Sequence, residues 1–147
     1  MSDQRPVAVT PHLFVQSAEE AVGFYLRAFG AAELFRNTFP DGTIGFVELA
    51  LGNGRVLVSE EAPSLNALAP PTVGGSPVML KIEVNDLDAL AQRAVEAGAK
   101  VEMPVEDMFW GERYGVLVDP FGHRWAVSTV RESLTPDEIA SHTPPEI

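Results

Sequence analysis

The chain has 147 residues, 46% hydrophobic and 21% charged, the size and balance of one ordinary globular domain and not of a disordered or fibrous chain. Its formal net charge of -11 opposes contact with a phosphate backbone, and its 10 Lys and Arg residues are scattered, which excludes nucleic acid as a partner. No apolar run approaches the roughly 18 residues needed to cross a bilayer, "MSDQRPVAV" lacks the features of a secretory signal, and cysteine is absent, so we expect a cytoplasmic protein with no membrane role, disulfide or thiolate chemistry.

The first apolar alternation, "VAVTPHLFV" (7–15), predicts a strand. Residues 17–30 predict a helix, with Ser17 as N-cap, Glu20 at the capping-box position, Ala21, Phe24, Tyr25 and Ala28 on one face, and Gly30 as stop. Strands follow over 32–39, 43–51 and 54–60, separated by "PDG" and "GNG". Because "GNG" stands between strands and not before a helix, it reads as a hairpin turn and not as a phosphate cradle. The stretch "APSLNALAPPTVGGSP" (62–77) reads as a linker.

The order then restarts. A strand over 78–84 precedes a helix over 86–98, whose Leu87, Leu90, Ala91, Ala94 and Val95 share a face and whose Gly98 closes it. Strands are expected near 100–105, 113–119 and 123–130, and Thr135 and Pro136 open a short terminal helix. Val15 corresponds to Val84, Gly30 to Gly98 and Ser59 to Ser128, so the chain reads as a tandem βαβββ repeat. One α+β domain is expected over 1–147: repeat one at about 7–61, the linker, repeat two at about 78–130, and a tail over 131–147.

Two such units, with "FY" on the first helix, "AGA" after the second and "DPFGHRW" before the last strand, resemble the vicinal oxygen chelate superfamily over about residues 7–130. That group includes glyoxalase I, bleomycin-resistance proteins, fosfomycin-resistance enzymes, methylmalonyl-CoA epimerase and extradiol dioxygenases. More narrowly, "TPHLFVQSAEEAVGFYLRAFGA" with "MFWGERYGVLVDPFGHRW" is similar to the PhnB-like branch. The resemblance implies a curved mixed sheet around a cleft, and a homodimer in which strands or whole repeats exchange. In the metal-dependent members, His and Glu at four strand positions hold a divalent ion. The matching positions here are Thr10, Leu57 or Val58, Met79 and Ala126, none of them a usual ligand, so no inherited metal site and no cofactor are expected.

Within that fold "DPFG" is a tight turn, with Pro120 fixing φ and Gly122 free to take a positive one. Alternation along the strands sends Arg124, Ala126 and Ser128 toward the cleft, and His123, Trp125 and Val127 toward the helices. The same parity places Thr10, His12 and Phe14 at the cleft, with Met79, Lys81 and Glu83 facing them, Phe46 and Glu48 on the third strand, and Glu60 at the end of the fourth. Apolar walls with a few polar groups are what a small-molecule site requires. His12 is the sharpest candidate, since an imidazole titrates near neutrality. In "MFWGERYG", read as a connection, Trp110 is expected to touch a ligand and Arg113 to hold the turn by pairing with Asp119.

Three functions fit these residues. The first is a metal-independent binding protein of the bleomycin-resistance type that takes up a small aromatic or cationic molecule, as in antibiotic sequestration. The second is a lyase, isomerase or dioxygenase using a divalent metal through non-inherited ligands such as His12, Glu48 or Glu60. The third is a metal-free enzyme with His12 or Glu48 as general base.

Overall fold

The computed structural model describes residues 4–146. Parallel strand β1 (His12–Val15) is shorter than the alternation over 7–15 predicts. Its pairing with β4 begins where the Pro11 carbonyl accepts from Leu57 N. Upstream, Val7 and Val9 are 98% and 88% exposed and pack against nothing, so the alternation there has no surface to bury.

Helix α1 (Ala18–Phe29) starts and stops where its caps dictate. Ser17 accepts from Glu20 N and Gly30 adopts the left-handed conformation. The reciprocal half of the capping box does not form; Glu60 instead reaches over from β4 and accepts from Ala18 N at 2.6 Å. Strands β2 (Ala32–Thr38), β3 (Ile44–Leu51) and β4 (Gly54–Glu60) complete a first sheet in the order β1-β4-β3-β2. The linker is partly ordered, with a 3-10 turn at Pro63–Leu65 and a short helix α2 (Pro70–Val73).

The second half repeats the plan with β5 (Met79–Glu83), α3 (Leu87–Glu96), β6 (Lys100–Asp107), β7 (Glu112–Val118) and β8 (Arg124–Val130), ordered β5-β8-β7-β6. A capped tail helix, α4 (Pro136–His142), carries the full capping box of Thr135 and Glu138. The registers of the two sheets match. His12 stands opposite Leu57 and Phe14 opposite Ser59, as Lys81 stands opposite Ala126 and Glu83 opposite Ser128. The fold is thus α+β, two four-stranded mixed sheets with helices, as the tandem repeat implied. No helix of the described residues is long and apolar enough to cross a membrane.

One hydrophobic core joins the halves: α1 packs on α3, and Leu13, Val15, Val58, Leu90, Leu117, Trp125 and Val127 are all buried within it. Aromatic rings form its centre, with Tyr25 and Phe29 against Trp125 at centroid separations of 5.4 and 4.8 Å. At its polar heart lies Asp119, 4% exposed. This carboxylate accepts from Tyr25 OH at 2.5 Å and Trp125 Nε1 at 2.9 Å, and from the backbone N–H groups of Phe121 and His123. Burial, with the neighbouring Asp119 charge, holds the Tyr25 hydroxyl well above the ordinary tyrosine range. Arg113 is therefore not the partner of Asp119; it turns outward to Asp88 and Asp107. A buried carboxylate already holding four donors has no need of a guanidinium, and Arg113 stays hydrated at the surface.

Candidate functional site

Each sheet buries one face against the helices and leaves the other free of them. On the first sheet Leu13 and Val15 turn into the core, which leaves His12 and Phe14 on the helix-free face. There the His12 ring stacks on Phe14 at 4.4 Å, and its Nε2 lies 2.7 Å from Ser59 Oγ. Partial burial lowers the His12 pKa below its ordinary 6.5, which favours the neutral ring. Phe46 packs on Phe35 at 5.6 Å, and Glu48 pairs with Arg55 at 2.7 Å. Glu60 is not on this face. Strand parity turns it to the helix side, where it caps α1.

On the second sheet the same stations carry a denser polar cluster. Lys81 Nζ donates to both oxygens of Glu112, at 3.0 and 2.8 Å, and lies 3.8 Å from Glu83. Trp110 Nε1 donates to Glu112 at 2.6 Å, and the Trp110 ring meets Phe109 and Tyr114 edge-on at 5.0 and 5.3 Å. Burial pushes the Glu112 pKa up, but hydrogen bonds from Lys81 and Trp110, with the lysine charge, outweigh it and hold the carboxyl below its usual range. Beside it the Ser128 hydroxyl is wholly buried; it lies close enough to Glu112 to favour the ionised carboxyl, yet makes no bond of hydrogen-bonding geometry among the described residues. Arg124 is held by Glu102 at 2.5 Å.

Glu112 escapes the sequence reading because "MFWGERYG" reads as a connection, whereas β7 already begins at Glu112. Strand parity from Tyr114, which stands opposite Ser128, would have put Glu112 on the same face. The loop before it is clamped by the segment leading to the tail. The Gly111 carbonyl accepts from Arg131 N and Glu132 N, and Gly111 has φ +92°, with the Glu132 carbonyl where a Cβ would stand. That clamp sets the position of Trp110.

Two cavities lie beside β5, with Pro11 and Leu80 in the walls of both. The smaller, about 320 Å³, holds His12, Phe14, His123 and Arg124 beneath the 68–78 segment. The larger, about 490 Å³, lies between β5 and the β3–β4 turn, with Lys81, Glu83 and Arg55 beside the core residues Phe29 and Trp125. His123 bridges the halves, its Nε2 lying 2.9 Å from the Phe14 carbonyl oxygen. The fold thus gathers His12, Phe14 and Arg124 around one cavity and Lys81 and Glu83 around the next. Phe46, Glu48, Met79 and Trp110 share the helix-free faces without lining either, and Glu60 is turned away.

The four positions that carry metal ligands in this fold do not fit a divalent ion. Thr10 is exposed ahead of β1, Leu57 or Val58 and Met79 offer no nitrogen or oxygen side-chain donor, and Val58 and Ala126 are buried. Among the described residues no three His, Asp or Glu side chains converge.

Two βαβββ units with their edge strands facing across a lined seam define a glyoxalase-type fold. The chain belongs to the Glyoxalase/Bleomycin resistance protein/Dioxygenase superfamily, whose family model matches residues 6–127. It is 40% identical over 135 residues to the uncharacterised Mycobacterium tuberculosis protein Rv0887c, a match covering 90% of this chain and 79% of that one. The Arabidopsis thaliana gene product At5g48480 has a crystal structure that superposes with a TM-score of 0.68 at 28% identity, over 84% of this chain and 99% of that chain. TioX from Micromonospora sp. ML1 superposes with a TM-score of 0.66 at 27% identity, over 88% and 100% of the two chains.

Proposed function

We propose that this protein binds a small aromatic or cationic molecule, without a metal, on the helix-free faces and seam of its two repeats, as a sequestering protein of the bleomycin-resistance type within the PhnB-like branch. The observation that carries this reading is the make-up of those faces. Threonine, leucine or valine, methionine and alanine stand at the four ligand positions, while Phe14, Phe46, Met79 and Trp110 supply apolar surface around a few carboxylates and bases. Such a surface holds flat apolar ligands by area and orients them by a few polar contacts. The acidic net charge favours cationic ligands by raising their local concentration. Pairing of two copies into a homodimer is part of the proposal.

Tryptophan fluorescence tests it, because Trp110 sits half-buried at the site and Trp125 lies in the core. Titration with a panel of planar aromatic cations is expected to quench emission saturably, with the response lost in Trp110→Phe and unchanged by chelator. A panel that produces no saturable response would count against the proposal. One observation favours a second reading, a metal-free enzyme: His12 is held neutral beside Ser59, the state a general base needs. That enzyme would show turnover that survives chelation and disappears in His12→Ala.

A further inference from the structure

In the second repeat two carboxylates share one lysine. Glu112 has its side chain only 12% exposed and is ion-paired with Lys81, while Glu83, 61% exposed, lies 3.8 Å from the same ammonium. The set carries two negative charges against one positive, so it is one positive charge short. Lys81 is itself 44% exposed, free to swing between the two carboxylates. A second feature points to the same place. Ser128 Oγ is fully buried on this face and makes no bond of hydrogen-bonding geometry among the described residues; it lies near Glu112, and its lone pairs have no donor. In the first repeat the matching hydroxyl, Ser59, is satisfied by His12. The Trp110 ring, fixed by its own bond to Glu112, adds an aromatic wall suited to a cation.

We propose that Glu83, Glu112, Ser128 and the Trp110 ring form a subsite for one protonated amine, the ammonium group of the small molecule whose binding is proposed above, on which this inference rests. The amine donates to Ser128 Oγ and to Glu112, and Lys81 moves over to Glu83. Lys81 acts as a resident cation that keeps Glu112 ionised while the subsite is empty. Its exchange for the ligand leaves four paired charges, two of each sign, and a donor for the serine oxygen. A primary or secondary amine fits; a quaternary ammonium has no N–H to give.

The test is calorimetric titration of the full chain with three isosteres: naphthylmethylamine, naphthylmethanol and naphthoate, at neutral pH and low salt. The amine is expected to bind about tenfold more tightly than the alcohol, the scale of one charge-assisted hydrogen bond. Glu83→Gln should weaken the amine by about fivefold and leave the alcohol unmoved. Lys81→Met should tighten the amine, because the competing cation is gone, and the amine should raise the Tm of that variant more than that of the parent protein. Near-UV circular dichroism from buried Trp125 reports that each variant is folded. Equal affinity for amine and alcohol, or a preference for naphthoate that Lys81→Met abolishes, overturns the amine subsite and leaves the small-molecule proposal standing. No binding of any of the three overturns both.

Discussion

The two repeats place the same stations on their helix-free faces and fill them with different chemistry. At one station repeat one has His12, hydrogen-bonded to Ser59, and repeat two has Lys81, ion-paired with Glu112. The strand registers are alike, so the difference does not come from the backbone. It comes from Glu112 and Trp110, which enter at the start of β7 and have no counterpart pulling on His12. A duplicated fold thus yields an uncharged hydrogen-bonded pair in one half and an ionic cluster with an unfilled hydroxyl in the other. The unlike half is where the proposed amine subsite lies.

The contrast breaks first where the halves are joined. Asp119→Ala removes the acceptor of two side-chain and two backbone donors at once, and leaves the Tyr25 and Trp125 donors buried without partners. Urea unfolding should show a loss of about 3 kcal/mol or more, against well under 1 kcal/mol for the exposed Arg113→Ala. Equal losses from the two would contradict the assignment of Asp119 as the hub.

Gly111→Ala acts on repeat two alone. The positive φ and the adjacent Glu132 carbonyl make an alanine there cost about 2 kcal/mol, and Trp110 emission should shift while Trp125 keeps its near-UV signal. Comparing the serines sharpens the contrast further. Ser59→Ala loses a bond to His12 and should cost about 1 kcal/mol, whereas Ser128→Ala removes a hydroxyl that makes no bond of hydrogen-bonding geometry and should cost less. Melting both variants side by side decides it; a larger loss at Ser128 would mean that its hydroxyl is already satisfied.

The smallest effect is a pH dependence confined to repeat one. Because burial lowers the folded His12 pKa below 6.5, the folded chain binds fewer protons there than the unfolded chain as the pH falls. The stability this group contributes is therefore full above 6.5 and is lost as the pH drops through the folded value. Stability measured from pH 7.5 down to 5 should fall more steeply in the parent protein than in His12→Gln. Parallel curves would remove His12 from the account.

Most of the frame was legible in the sequence, because caps, turn residues and apolar periods act locally. The Ser17 cap, Gly30 stop and α1 stripe set one helix, and the repeated spacing placed the strands of both sheets to within a few residues, the start of β1 excepted. What was not legible depended on contacts made across the fold. Nothing near Asp119 in sequence announces that Tyr25 will reach it, so a nearby arginine looked like the natural partner. Glu60 looked like a cleft carboxylate until the α1 N-terminus offered it a backbone N–H. The Lys81–Glu112 pair joins residues on two strands of the second sheet, and became visible only once the start of β7 was fixed. Val7 and Val9 show the converse error, a sound local pattern with no surface to meet.

The central claim is that these faces recognise their ligand without a metal. It is tested most directly by titrating naphthylmethylamine, with Trp110 emission as readout, into chelator-stripped protein and into protein equilibrated with Ni, Zn, Mn and Fe and then dialysed, with the metal content of each sample determined. The account predicts the same affinity in all samples and no near-stoichiometric retained metal. Near-stoichiometric metal that His12→Ala abolishes, together with binding that appears only in the loaded protein, would contradict it.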